Sequence, residues 1–145
     1  MFLGEYEHTL DEKGRLTIPA KFRAPLGDRF VMTRGLEQSL VLYPLEEWTQ
    51  LAEKLKALPF TRADARAFTR FFFSGAQEME VDRQGRVLIP PNLRTFAGIE
   101  RSCVVIGVMN RVEVWETERW KTYMQEKDET LSDIAEKLFD FDANL

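Results

Sequence analysis

A nine-residue phrase occurs twice in this chain. It reads Asp11-Glu-Lys-Gly14-Arg15-Leu-Thr-Ile18-Pro19 and, 71 residues later, Asp82-Arg-Gln-Gly85-Arg86-Val-Leu-Ile89-Pro90. The match extends past the phrase. Phe2, Gly4 and Leu10 fall on Phe73, Gly75 and Val81, and Phe22 and Arg23 fall on Leu93 and Arg94. After a one-residue slip near residue 100, Gly35, Tyr43 and Trp48 fall on Gly107, Trp115 and Trp120. Two copies are too few for a solenoid, whose inner repeats need neighbours on both sides. The duplication therefore predicts a closed pair of modules related by a pseudo-two-fold axis.

Within each copy the phrase builds a turn. Asp at its first place and Gly at its fourth suit a type I turn with a glycine at positive φ, leading into a bulged hairpin. The preceding strands are expected over residues 2–10 and 76–81, and the following ones over Arg15 to Ile18 and Arg86 to Ile89. Proline then stops each strand, because it has no N–H for the ladder and suits the first turn of a helix. Short helical turns are expected at 19–23 and 91–94, with two further strands per copy at Phe30 to Thr33 and Leu40 to Tyr43, and at Cys103 to Ile106 and Val112 to Trp115.

Helices follow each set of strands. Trp48, Leu51, Leu55 and Leu58 recur at three- and four-residue spacing before Pro59. A second helix, about Arg62 to Phe73, aligns Arg62, Arg66 and Arg70 on one face. A C-terminal helix from about Thr117 takes its apolar positions from Trp120, Met124, Leu131, Ile134, Leu138 and Phe141, and is read as an outer element, packed on a neighbouring subunit or partly mobile. The expected organisation is a first repeat over 1–60 (hairpin 11–19, helix 45–58), a linker helix over 61–75 and a second repeat over 76–145 (hairpin 82–90).

The formal net charge of −4 is unevenly spread. Residues 11–29 and 82–101 each carry an excess of two positive charges, whereas residues 113–145 carry an excess of six negative ones. Lys13, Lys21 and Arg23 surround Arg15 in sequence, and Arg83, Arg94 and Arg101 surround Arg86.

Catalytic chemistry is poorly supplied. His8 is the only histidine, in a predicted strand, and is read as structural or surface-facing; Cys103 is the only cysteine and, beside Val104, Val105 and Ile106, reads as a buried strand residue. One of each leaves no metal-ligand spacing, and one cysteine allows no intrachain disulfide, in keeping with a reducing compartment. No cofactor is indicated: there is no glycine-rich phosphate loop. No apolar run approaches the roughly 20 residues of a membrane span, and no signal peptide is evident at the start. Asp11 and Asp82 could form a carboxylate pair for acid-base work, but turn capping explains them more simply.

The repeated arginine leaves two readings open. Arg15 with Asp11, and Arg86 with Asp82, can brace their own turns, a contribution of at most about 1 kcal/mol for an exposed pair. Alternatively, a rigid hairpin presenting arginines can hold phosphates and reach guanine edges in the major groove, which admits a two-stranded ribbon.

The doubled Asp-x-x-Gly-Arg-apolar-x-Ile-Pro phrase, the opening Phe-Leu-Gly-Glu-Tyr and the Trp-bearing helix after each set of strands together resemble the MraZ family of bacterial transcriptional regulators, over essentially the full chain. The resemblance implies an α+β fold of mainly β core with outer helices: an AbrB-like swapped-hairpin, or double-split β-barrel, formed by the two tandem repeats within one chain. It implies no enzyme and no metal. The expected activity is sequence-specific binding of double-stranded DNA, at short direct repeats in the promoter of the division and cell wall gene cluster, by a homo-oligomeric ring in the cytoplasm, associated with the nucleoid and not with a membrane.

The family's Asp-x-x-x-Arg signature falls on Asp11 with Arg15 and Asp82 with Arg86. The DNA-binding set is then Arg15, Arg86, Lys13, Arg83, Lys21, Arg23 and Arg94, on turns formed by Asp11, Gly14, Asp82 and Gly85. The copies differ, with Glu12 facing Arg83, Lys13 facing Gln84 and Lys21 facing Asn92. A competing reading is an oligomeric scaffold acting through the acidic C-terminal helix.

Overall fold

The computed structural model describes the backbone of residues 1–143 and the side chains of residues 1–140. Eight strands and six α-helices follow one another as β1 (Glu5–Thr9), β2 (Arg15–Thr17), α1 (Ala20–Leu26), β3 (Arg29–Arg34), β4 (Leu40–Pro44), α2 (Leu45–Lys56), α3 (Ala63–Ser74), β5 (Gln77–Glu80), β6 (Arg86–Leu88), α4 (Pro91–Ala97), β7 (Ser102–Val108), β8 (Arg111–Glu116), α5 (Thr117–Asp128) and α6 (Leu131–Ala143). The order repeats itself, as the doubled sequence requires.

The strands of one repeat do not make its sheet alone. The six-stranded antiparallel sheet runs β1-β7-β8-β4-β3-β5, and β2 and β6 form a separate two-stranded ribbon. Read from either end, the sheet order is the same once the repeats are exchanged. The first strand of each repeat leaves its own module: β1 pairs with β7 and β5 with β3. The pseudo-dyad passes through two strand pairs, Leu16 opposite Val87 in the ribbon and Val41 opposite Glu113 in the large sheet.

This exchange corrects the simple hairpin expected around each turn. The turns close as anticipated, but the strands they join pair elsewhere. β1 and β2 lie in different sheets, and β5 and β6 likewise. A three-residue strand gains little from pairing with its neighbour in sequence. Its inward side chains gain much more when Leu16, Val87, Ile18 and Ile89 are buried together, each at most 2% exposed.

The core lies between this ribbon and one face of the large sheet. Phe22 of α1 and Leu93 of α4 close it, meeting Phe30, Met32, Leu40, Leu42, Val105 and Val114. Alternation along the strands sends their other residues to the opposite face. There Val104, Ile106 and Trp115 pack under Trp120 and Tyr123 of α5. On the same face, Phe72 of α3 stacks on Trp48 of α2, centroids 5.4 Å apart, and the Thr33 hydroxyl donates to the Phe72 carbonyl at 2.6 Å.

The expected single C-terminal helix is two helices. The Thr130 hydroxyl and N–H both donate to the Lys127 carbonyl, at 3.0 and 2.9 Å, while its own carbonyl accepts from the Ile134 N–H at 2.9 Å. A threonine that folds back in this way stops one helix and starts the next. Phe141, expected on the same apolar face, lies outside the described side chains. Among the described residues, no helix is long and apolar enough to cross a membrane.

Candidate nucleic-acid interface

Each turn is built by its aspartate. Asp11 Oδ1 accepts from the Lys13 and Arg15 N–H groups, both at 2.9 Å, and Oδ2 accepts from Arg15 Nε at 2.6 Å. Asp82 repeats the pattern with Gln84 and Arg86, all three distances being 2.9 Å. The fourth-place glycines have φ of 83° at Gly14 and 77° at Gly85, the left-handed conformation that only glycine takes at little cost.

The backbone N–H of Arg15, with smaller contributions from its side chain and from the Lys13 N–H, holds the Asp11 carboxyl down at about 2. The Arg86 N–H and guanidinium lower Asp82 in the same way. A general acid near neutral pH needs the opposite shift. Near neutral pH these carboxylates are anions that fix a turn.

The two turns reach across to each other. The Ile18 N–H donates to the Gly85 carbonyl at 2.9 Å, and the Ile89 N–H to the Gly14 carbonyl at 3.1 Å. Arg86 also brings a terminal nitrogen to 3.8 Å from the Asp11 carboxylate. With Leu16 and Val87 turned inward, alternation leaves Arg15, Thr17, Arg86 and Leu88 on the outer face of one antiparallel ribbon. Arg15 and Arg86 keep 29% and 27% of their side-chain surface exposed. Each arginine is bonded to its own aspartate and still faces outward.

Of the remaining candidates, Lys13, Lys21, Arg23 and Arg83 are exposed and Arg94 is half-buried. Arg23 and Arg94 sit differently from the sequence grouping. Arg23 covers the turn of the second repeat, so a Cβ on Gly85 would lie 2.5 Å from its Cζ. Arg94 covers the turn of the first, 2.5 Å from a Cβ on Gly14. Arg23 Nε donates to the Ile18 carbonyl at 2.9 Å, and the Arg94 guanidinium to the Glu100 carbonyl at 3.1 Å. Each of these two arginines thus lies over the turn of the opposite repeat while hydrogen-bonding within its own, a placement that proximity in sequence does not reveal. Their equal places in the two copies were the available signal.

His8 lies in β1 opposite Cys103, and partial burial lowers its pKa. Cys103 is fully buried, which pushes its thiol up to about 12. Among the described residues, no cluster of three His, Cys, Asp or Glu side chains converges as a metal site would.

Comparison with known proteins agrees with the duplication. The family described as "MraZ protein, putative antitoxin-like" matches this chain twice, over residues 1–71 and 72–142. The chain is 56% identical over 142 residues to a protein of Moorella thermoacetica named "Transcriptional regulator MraZ", covering 98% of this chain and 99% of the relative. It is also 56% identical over 140 residues to a protein of the same name from Syntrophomonas wolfei, covering 97% and 98%. That name describes a regulatory and not an enzymatic role. The doubled turn, the exchanged strands and full-length similarity to these relatives place the chain in the MraZ family.

Proposed function

We propose that this chain, a member of a family of transcriptional regulators, binds double-stranded DNA through the outer face of the β2–β6 ribbon and the two turns beside it. The observation that carries this reading is that ribbon: two short antiparallel strands from different repeats, with Arg15 opposite Leu88 and Arg86 opposite Thr17, so that the two arginines lie diagonally across its outer face. A two-stranded ribbon fits the major groove, where arginine recognises guanine by two parallel hydrogen bonds. Lys13, Lys21 and Arg83 contact phosphates, which set position and orientation without reading sequence. Asp11 and Asp82 hold the arginines in place, and Arg23 and Arg94 lock the two turns together.

The local charge excess of two per repeat is small. A single subunit therefore binds weakly, and useful affinity comes from several subunits engaging one duplex. A homo-oligomeric ring bound to short direct repeats, in the promoter of the division and cell wall gene cluster, meets that requirement.

Retention of such a promoter fragment, measured at several salt concentrations for the parent, Arg15→Ala and Arg86→Ala, tests the assignment. Where the replaced arginine held a phosphate, the slope of log affinity against log salt falls by about one. Where it read a base, binding weakens by about 1–3 kcal/mol and sequence preference relaxes at one position. Undiminished binding by the folded, assembled double variant would overturn the assignment.

A further inference from the structure

We infer that α6 of one subunit seats in the groove between α2 and α3 of a second copy of this chain, and that this head-to-tail contact builds the assembly. The inference rests on the oligomeric reading above and names its interface. It begins from an inequality between the repeats. α3 lies on the sheet, pinned by Phe72 and by its continuation into β5. α6 is the corresponding helix in the order of the second repeat, yet its Leu131, Ile134, Leu138 and Phe139 are 44%, 38%, 66% and 72% exposed. An amphipathic helix gains most of its stability from burying such a face.

The groove offers the matching surface. It encloses about 420 Å³ between the end of α2, the connection after it and the length of α3. Leu55, Leu58, Phe60 and Phe73 line it, Phe60 being 82% exposed. Lys56, Arg66 and Arg70 also line it, within a segment, residues 54–73, that carries five basic side chains and one acidic. Among the described residues Arg70 forms no ion pair. α6 brings the opposite charge, with Asp133, Glu136 and Asp140 against Lys137. Apolar contact thus supplies the attraction, and opposed rims set the direction of docking.

Donor helix and acceptor groove are different surfaces of one chain. Such a contact is heterologous: each subunit uses both, and a chain of subunits closes into a ring when the rotation allows. It also leaves the β2–β6 ribbon outside the interface.

Two variants on exposed positions test this by sedimentation velocity, with melting curves to verify folding. Leu138→Asp spoils the donor and leaves the groove; Phe60→Asp spoils the groove and leaves the donor. Each variant alone sediments as a monomer, while their mixture forms a one-to-one heterodimer and nothing larger, because one intact interface remains. A monomeric parent overturns the oligomeric reading itself. An oligomeric parent whose folded variants both remain oligomeric overturns only this interface, as does a mixture that stays monomeric. Loss of assembly in Leu138→Asp alone overturns the choice of groove.

Discussion

The Arg86 guanidinium lies 2.9 Å from its own Asp82 carboxylate and 3.8 Å from the Asp11 carboxylate of the other repeat. Asp11 thereby touches two arginines, one from each copy. Among the described residues Arg15 makes no such second contact with Asp82. The two turns form one electrostatic unit, centred on the first.

Asp11→Asn is therefore expected to destabilise the protein more than Asp82→Asn. Because the folded pKa of Asp11 is depressed to about 2, its stabilisation is complete above the ordinary carboxylate pKa near 3.8 and is lost as pH falls towards 2. Denaturant titrations at stepped pH should show stability falling across that window in the parent, with a shallower fall in Asp11→Asn.

Gly14→Ala and Gly85→Ala each force a side chain into positive φ and against an arginine of the opposite repeat. The left-handed conformation alone costs about 1–2 kcal/mol for a residue with a Cβ. Each variant should lose at least that much in urea unfolding, and equal losses in the two would verify that the clamps are equivalent.

Leu16 and Val87 meet at the pseudo-dyad with 0% and 2% exposure. Leu16→Ala should cost about 2–5 kcal/mol, as large-to-small changes in a core do. Since every strand pair near the dyad joins both repeats, unfolding of the whole chain should remain a single transition. A fragment of residues 1–75 should be unfolded as a monomer by circular dichroism, and any folded form of it should contain at least two copies.

The Cys103 thiol, fully buried and with its pKa raised to about 12, should resist alkylation in the folded protein. Mass spectrometry after treatment with iodoacetamide in mildly alkaline buffer should find it unmodified until denaturant is added. Rapid modification in the native state would contradict the placement of β7 in the core.

Local chemistry was legible without coordinates. Aspartate, glycine and arginine at fixed spacing determine a turn, because each acts on backbone close to itself in the chain. Proline at 19 and 90 ends the strands and opens α1 and α4 for the same local reason. Periodic apolar residues placed α2, and a helix expected from Arg62 to Phe73, with Arg62, Arg66 and Arg70 on one face, matches α3, each to within two residues; the duplication predicted the pseudo-dyad.

What the chain could not disclose along its length is which distant segments pair. β1 and β2 would satisfy the same turn whether they bonded to each other or to β7 and β6. The choice depends on burying Leu16, Ile18, Val87 and Ile89 in one shared core, a gain that exists only when both repeats are present. The same non-local packing carries Arg23 and Arg94 onto the opposite turns and leaves the apolar face of α6 exposed. Reading along the chain is thus enough to establish two basic turns of one design, unequal in their flanking charges, in a duplicated fold. That both halves build one barrel was the expectation from the family resemblance; which strands pair across the halves, and which side chains lie over the opposite turn, is settled by tertiary packing, because it depends on residues some 70 positions apart in the chain.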